Sequence, residues 1–391
     1  MMDYFENQML LKSCYDLKAR EIPIPGAAAR IVHCDFHSEI KPETKQAETN
    51  GLKVENHAGL LQRSFDGNYD FTYPVFMPDN RAVADGAVIL LHGLNERNWN
   101  KYLYWAQYLS EQTGKAVILF PMAFHVNRSP GYWSDPRAMQ EVSLYRTQNT
   151  PLNAVSTSVN AALSTRLDSH PEWFCTSGLQ SCYDLISLTR KIRSGGHPLF
   201  KTSASVDFFA YSVGAFLLEV LLIANPDKIF SESKSFLFSG GSSFQQMKGI
   251  SRYIMDAQAF DRLEETFIRQ DPKAVVPKLS IERLNDFSDL WSSFMAMLRL
   301  DRFQTFRERS FHKMRDQISA IGLTKDKVIP ANSILQTLCG TKNRNKIPMT
   351  ILDFPYQYSH ENPFPIGHEE IRSLVNQSFL QVFGKAVQFL G

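Results

Sequence analysis

The chain has 391 residues, with 42 Lys plus Arg against 40 Asp plus Glu and a formal net charge of +2. That length suits one large α/β domain with insertions or two ordinary domains. The balanced charge, with no long basic run or acidic tail, argues against nucleic acid as the main partner.

The start, Met1-Met2-Asp3-Tyr4-Phe5-Glu6, offers neither the basic n-region nor the apolar h-region of a secretory signal. A helix is expected over residues 4–19, followed by a Pro/Gly turn at 22–26 and a strand over 30–36. Residues 41–51 are polar and read as a loop. Residues 1–70 together read as a lead-in segment. A strand over 71–78 follows, and Pro74 within it favours a sheet edge, because proline cannot donate to a ladder.

From there strands and helices alternate. Residues 87–91 form a continuous apolar strand, 100–113 an amphipathic helix ending near Gly114, and 116–121 a second buried strand. A helix over 178–193 is stopped by Gly195-Gly196; a strand at 206–210 then leads into a helix that runs to about 224, before Asn225-Pro226. Further strands are expected at 235–239, 318–321 and 349–354, with a closing helix over 369–390. Continuous apolar strands separated by helices imply a mostly parallel sheet covered on both faces. No apolar run approaches the ~20 residues of a membrane span.

Two segments break the rhythm. Residues 125–174 sit between a strand and its helix and read as irregular or partly helical. Residues 243–314 are mostly helical, with Leu284, Phe287, Leu290, Trp291, Phe294, Met297 and Leu298 at helical spacing. Insertions at the carboxyl ends of parallel strands lie over a site. The organisation is therefore a core of 71–242 and 315–391, with a 125–174 insertion and a helical cap at 243–314.

The chemistry gathers at Ala210-Tyr211-Ser212-Val213-Gly214, where the apolar strand meets the following helix. A serine between small residues at a strand–turn–helix junction is the geometry of a nucleophile elbow, since only small side chains two before and two after let strand and helix approach. Three further signals fall at strand ends. His92-Gly93 follows the first buried strand, where Gly93 permits unusual dihedrals and a close approach; the amides of Leu94 and Val213 are the expected oxyanion donors. His92 itself is expected to orient the turn. Asp326 follows the fifth strand and is preferred to the asparagine-bearing 340–345 segment. His360 follows the sixth strand in a proline-braced loop and is preferred to His368, which falls in the first turn of the closing helix. The five cysteines, Cys14, Cys34, Cys175, Cys182 and Cys339, are scattered without metal-ligand spacing, so a reduced cytoplasmic setting is the default.

The order Ser212, Asp326, His360, with His92-Gly93 upstream, resembles the serine hydrolases of the α/β-hydrolase superfamily over residues 71–391. Ala210 departs from the commoner glycine. The resemblance implies acyl transfer: Ser212 attacks a carbonyl, His360 takes its proton, Asp326 steadies the imidazolium, and the Leu94 and Val213 amides hold the oxyanion. It requires neither metal nor organic cofactor. The aromatic cap suggests a small-molecule ester with an apolar group as substrate. The alternatives are a peptidase or amidase on the same residues and a non-catalytic binding protein of the same fold. Oligomeric state is not legible.

Overall fold

The computed structural model describes residues 3–40, 66–79, 81–270, 286–340 and 342–391. The loop expected at 41–51 and the periodic residue Leu284 lie outside them. Strands β1 (Glu21–Pro23), β2 (Arg30–His37), β3 (Asp70–Met77), β4 (Ala84–Leu91), β5 (Ala116–Phe120), β6 (Phe200–Tyr211), β7 (Ser235–Phe238), β8 (Ile318–Leu323) and β9 (Met349–Leu352) form one sheet. Its order is β1-β2-β3-β5-β4-β6-β7-β8-β9. The pairs β1·β2, β2·β3 and β3·β5 are antiparallel, and every pairing from β5 through β9 is parallel.

The central strands carry unbroken apolar runs, residues 87–91 in β4 and Ala116–Phe120 in β5 among them, because both faces are covered there. Alternate residues feed two cores. Ala87, Ile89, Leu91, Ile118, Phe208 and Ala210 join one with helices α5 (Trp173–Arg193) and α6 (Val213–Ala224). Val88, Leu90, Leu119, Phe209, Tyr211 and Phe238 join the other with α2 (Leu103–Thr113) and α11 (Arg372–Leu390). The 125–174 segment carries α3 (Pro136–Asn149) and α4 (Ala161–Ser169). The 243–314 segment carries α7 (Ala257–Glu264), α8 (Phe287–Leu298) and α9 (Gln304–Lys313), and α10 (Ala331–Cys339) lies between β8 and β9.

The N-terminal residues are built into this sheet. β1 and β2 extend it, while α1 (Tyr4–Cys14) packs Tyr4 on Phe379 of α11 with ring centroids 4.6 Å apart. α1 opens with an Asp3/Glu6 capping box and stops at Cys14, short of the expected 4–19 span. The edge position expected from Pro74 is corrected: β3 lies between β2 and β5, and the missing N–H is tolerated because the ladder to β5 takes in only Val75 and Phe76. β6 starts at Phe200, six residues before the expected strand, because Lys201, Thr202, Ser203 and Ser205 face solvent and hide it from an apolar pattern. A mostly parallel sheet flanked by helices, crossing from β6 into α6 through Ser212, is the α/β-hydrolase fold.

Candidate active site

Ser212 links β6 to α6 with φ 58° and ψ −128°. A non-glycine residue held there carries roughly 1–3 kcal/mol of strain, which persists because packing leaves no room to relax. A Cβ on Gly214 would come within 2.7 Å of the carbonyl oxygens of Leu91 and His92, so only glycine fits the first turn of α6 against the end of β4. Ala210 lies beside Leu91 in the parallel β4·β6 ladder, fully buried.

The three residues expected from the order of the chain meet at one point. Ser212 Oγ lies 2.6 Å from His360 Nε2, and His360 Nδ1 lies 2.7 Å from Asp326 Oδ2. All three are buried, between 4% and 5% exposed. The carboxylate fixes the tautomer: an acid can only accept from Nδ1–H, which leaves Nε2 to accept from the serine hydroxyl. Asp326 is itself held in place, its Oδ1 accepting the N–H groups of Val328 (2.9 Å) and Ile329 (2.8 Å). His368 is exposed at the start of the closing helical turn. Asn345 of the rival 340–345 segment is buried and donates to Leu338 O.

His92 braces the turn after β4. Its Nδ1 donates to Gly93 O (2.8 Å) and its Nε2 accepts from the Met122 amide (3.0 Å), so the ring is neutral. Burial pushes its pKa down to about 4. Gly93 donates to the Tyr102 hydroxyl (3.0 Å), which in turn donates to Glu96 (2.7 Å). Gly93 packs closely against the elbow: a Cβ there would lie 3.3 Å from the Tyr211 ring and 3.4 Å from Ser212 Cβ, a tight fit and not a clash. The unusual dihedral expected of Gly93 belongs instead to Asn95, with φ 62°. Val213 occupies the first helical position, where its N–H has no intrahelical acceptor.

Two supports were not legible in the sequence. Tyr211 donates its hydroxyl to the His360 carbonyl and stacks on the imidazole with ring centroids 5.6 Å apart. Gly240, just after β7, passes so close to the elbow that a Cβ would meet Ala215 Cβ at 2.6 Å and Ser212 O at 2.7 Å. The only sequence signal at Gly240 is its position at a strand end, and Tyr211 gives none.

Ser212 stands between apolar and polar space. An apolar cavity is walled by Val213, Phe244, Met255, Phe260 and Ile329. It shares Leu94, Phe174 and Val213 with a second apolar cavity that reaches Phe216 and Phe294. A polar cleft is lined by Ser212, His360, Glu96, Arg97, Lys101 and Tyr253. Both intervening segments thus wall the space around the serine. Among the described residues no cluster of three or more His, Cys, Asp or Glu side chains is arranged to hold a metal ion. No described helix is long and apolar enough to cross a membrane.

Residues 2–391 match the sequence profile described as "Family of unknown function (DUF6051)". The chain belongs to the DUF6051 family. No curated protein matches it. Among solved structures, the DUF6051 chain is similar to a cold-adapted esterase from an Arctic intertidal metagenomic library, at 10% identity and a TM-score of 0.40, over 96% of this chain and 98% of that one. It is also similar to the hyperthermophilic esterase of the archaeon Pyrobaculum calidifontis, at 12% identity and a TM-score of 0.40, over 98% and 88%. A putative dipeptidyl aminopeptidase IV from Bacteroides ovatus aligns at 11% identity and a TM-score of 0.42, over 83% of the DUF6051 chain and 34% of its own. The chain therefore spans about a third of that peptidase. These likenesses carry no argument about chemistry, which for the DUF6051 chain rests on the geometry at Ser212.

Proposed function

We propose that the protein is a serine hydrolase that cleaves a carboxylic ester with an apolar acyl group through an acyl-enzyme. The reading is carried by one observation: the unbroken hydrogen-bond chain from Ser212 Oγ through His360 to a carboxylate locked by two backbone amides. A serine hydroxyl is a weak nucleophile until a base removes its proton as it attacks. His360 Nε2 is placed to take that proton, and Asp326 stabilises the imidazolium that forms. The carbonyl oxygen becomes an oxyanion held by the amides of Leu94 and Val213, each contributing ~3 kcal/mol. Collapse expels the alcohol, which receives its proton from His360, and water then repeats the sequence to release the acid. The apolar cavities beside Val213 suit the acyl chain, and the 125–174 and 243–314 segments act as a cap over it.

Labelling with a fluorophosphonate probe tests the reading. Wild-type protein is expected to label and Ser212→Ala is not; an unlabelled wild type, or an alanine variant that labels equally, sinks the proposal. Ser212→Ala should also lower kcat/KM on p-nitrophenyl esters by about 10⁴-fold or more. His360→Gln should do nearly the same, and a fall seen with His368→Gln instead would move the base to that residue. Aminoacyl amides belong in the same panel, because the reacting atoms serve an amide as well as an ester.

A further inference from the structure

Four arginines are buried among the described residues, and three of them have an ion-pair or hydrogen-bond partner, although Arg307 also leaves its Nε unmet. Arg128 pairs with Asp184 at 2.8 Å, Arg146 grips Asp256 with two bonds of 2.5 and 2.8 Å, and Arg307 donates to the carbonyls of Ala296, Arg299, Leu300 and Arg302. Arg166, on α4, is 6% exposed and has neither a hydrogen bond nor an ion pair among the described residues; its Nε is an orphan. Its guanidinium sits 3.9 Å from the Trp133 ring centroid, 5.0 Å from Phe124 and 5.1 Å from Trp173. Aromatic rings favour a cation over their faces, but guanidinium N–H groups lie in the plane of the fork and stay unmet. Burial without a partner pulls the Arg166 pKa down to about 9. A buried charge left in this condition is costly unless an anion completes it.

The space beside Arg166 shares a wall with the cleft that holds the serine. Arg166 lines a narrow cleft with Asn95, Glu96, Arg97, His125 and Ser134. Asn95, Glu96 and Arg97 also line the polar cleft that holds Ser212 and His360. Arg97 donates through Nη2 to the carbonyls of Ser158 and Val159, and its Nε has no partner among the described residues. The one carboxylate in the wall, Glu96, is already engaged by Lys101 and the Tyr102 hydroxyl. In acyl transfer the histidine protonates the leaving group, so the cleft lined by His360 is the leaving-group side.

We infer that the leaving group of the substrate carries a carboxylate, received in this side cavity by Arg166 and Arg97. The inference rests on the acyl-transfer reading above. A planar carboxylate suits a guanidinium whose faces are taken by rings, because two in-plane N–H donors can meet its two oxygens. The substrate class becomes an apolar acyl group joined to a hydroxy acid, or to an amino acid where the bond is an amide. A tenfold preference corresponds to about 1.4 kcal/mol, within reach of one charge-assisted pair.

The test compares 3-butyryloxybenzoate and its carboxymethyl and carboxyethyl homologues with the matching carboxamides, reading the ratio of kcat/KM within each protein. Wild type is expected to favour the carboxylate at least tenfold for one member of the series. Arg166→Gln should bring the ratio close to one. Ser134→Asp, which supplies the missing acid from the cavity wall, should do the same while leaving Arg166 in place, and it decides the matter if Arg166→Gln does not fold. Wild-type protein that labels with the fluorophosphonate yet shows ratios near one throughout overturns the inference and leaves the serine-hydrolase reading standing. So does a preference that survives Ser134→Asp and any folded Arg166→Gln. Wild-type protein that neither labels nor turns over any ester overturns both.

Discussion

At the scale of single residues, the positions around Ser212 differ in what they can tolerate. Gly240 has no freedom: a methyl group there would sit 2.7 Å from Ser212 O and 2.6 Å from Ala215 Cβ, and neither backbone nor helix can retreat without moving the elbow. Gly240→Ala is expected to slow fluorophosphonate labelling and to lower kcat/KM at least tenfold. Gly384→Ala on α11 is the control: a Cβ there meets nothing within 4 Å, and relief of backbone entropy should raise stability by roughly 0.5–1 kcal/mol. Equal effects of the two would refute the steric account. Tyr211 makes a finer test because it touches His360 through a hydrogen bond and a stacked ring. Tyr211→Phe keeps the ring and loses the bond, worth about 0.5–1.5 kcal/mol. A positioning residue should therefore show a two- to tenfold fall in kcat with KM unchanged, and a rise in KM alone would remove Tyr211 from that role.

Between elements, the two segments that interrupt the sheet are fastened to each other by a buried charge pair. Arg146, near the end of α3, binds Asp256 through Nε and Nη2, and Asp256 also caps α7 by accepting the Ala259 amide at 3.1 Å. Removing one partner strands a charge in the interior, which typically costs about 3–5 kcal/mol. Arg146→Ala is expected to lose that much in urea unfolding and to expose the 125–174 segment to limited proteolysis; a change under about 0.5 kcal/mol would mean that the pair carries no load. None of this could be read from spacing, since Arg146 and Asp256 lie in separate insertions. What the sequence did carry was local. The Val/Ile/Leu runs of β4 and β5 announce buried strands because every position is apolar. Ser212, Asp326 and His360 stand out in the sequence because each falls just past the end of an expected strand. β6 was read short because its first half faces water on most positions, and Pro74 misled because one strand can be unpaired at one residue and interior at the next. Tyr211, Gly240 and Arg166 owe their meaning to contacts across the fold, and no neighbour in sequence reports them.

Across the whole molecule, burial has set two kinds of titrating group against each other. His92, His125 and His197 are buried, and desolvation holds their pKa values at about 4, 3 and 4 against an ordinary 6.5. Between those values the unfolded chain binds protons that the folded chain refuses, so stability rises with pH. This contribution is complete above pH 6.5 and is lost as pH falls toward 4 and then 3. At about 1.4 kcal/mol per pKa unit, the shift of His92 alone is worth roughly 3 kcal/mol. Glu219, in the middle of the elbow helix, acts with the opposite sign. It is fully buried, neither carboxylate oxygen has a hydrogen-bond partner among the described residues, and desolvation lifts its pKa well above the ordinary 4.5. The folded state therefore holds a proton there that the unfolded state releases above 4.5, which lowers stability as pH rises. Glu219 is opposed between pH 5 and 6 by these three histidines, and His33, whose pKa burial also lowers, acts with them, so unfolding should be coupled to a net uptake of about two protons or more, or roughly 3 kcal/mol per pH unit. Urea midpoints measured at pH 5.0, 5.5 and 6.0 should climb accordingly. Glu219→Gln removes the opposing group without adding charge, and should steepen the climb toward about three protons or more while raising stability most at the higher pH. A wild-type midpoint that is flat across this range, or a Gln variant whose slope is unchanged, would show that the buried histidines and Glu219 do not govern acid stability.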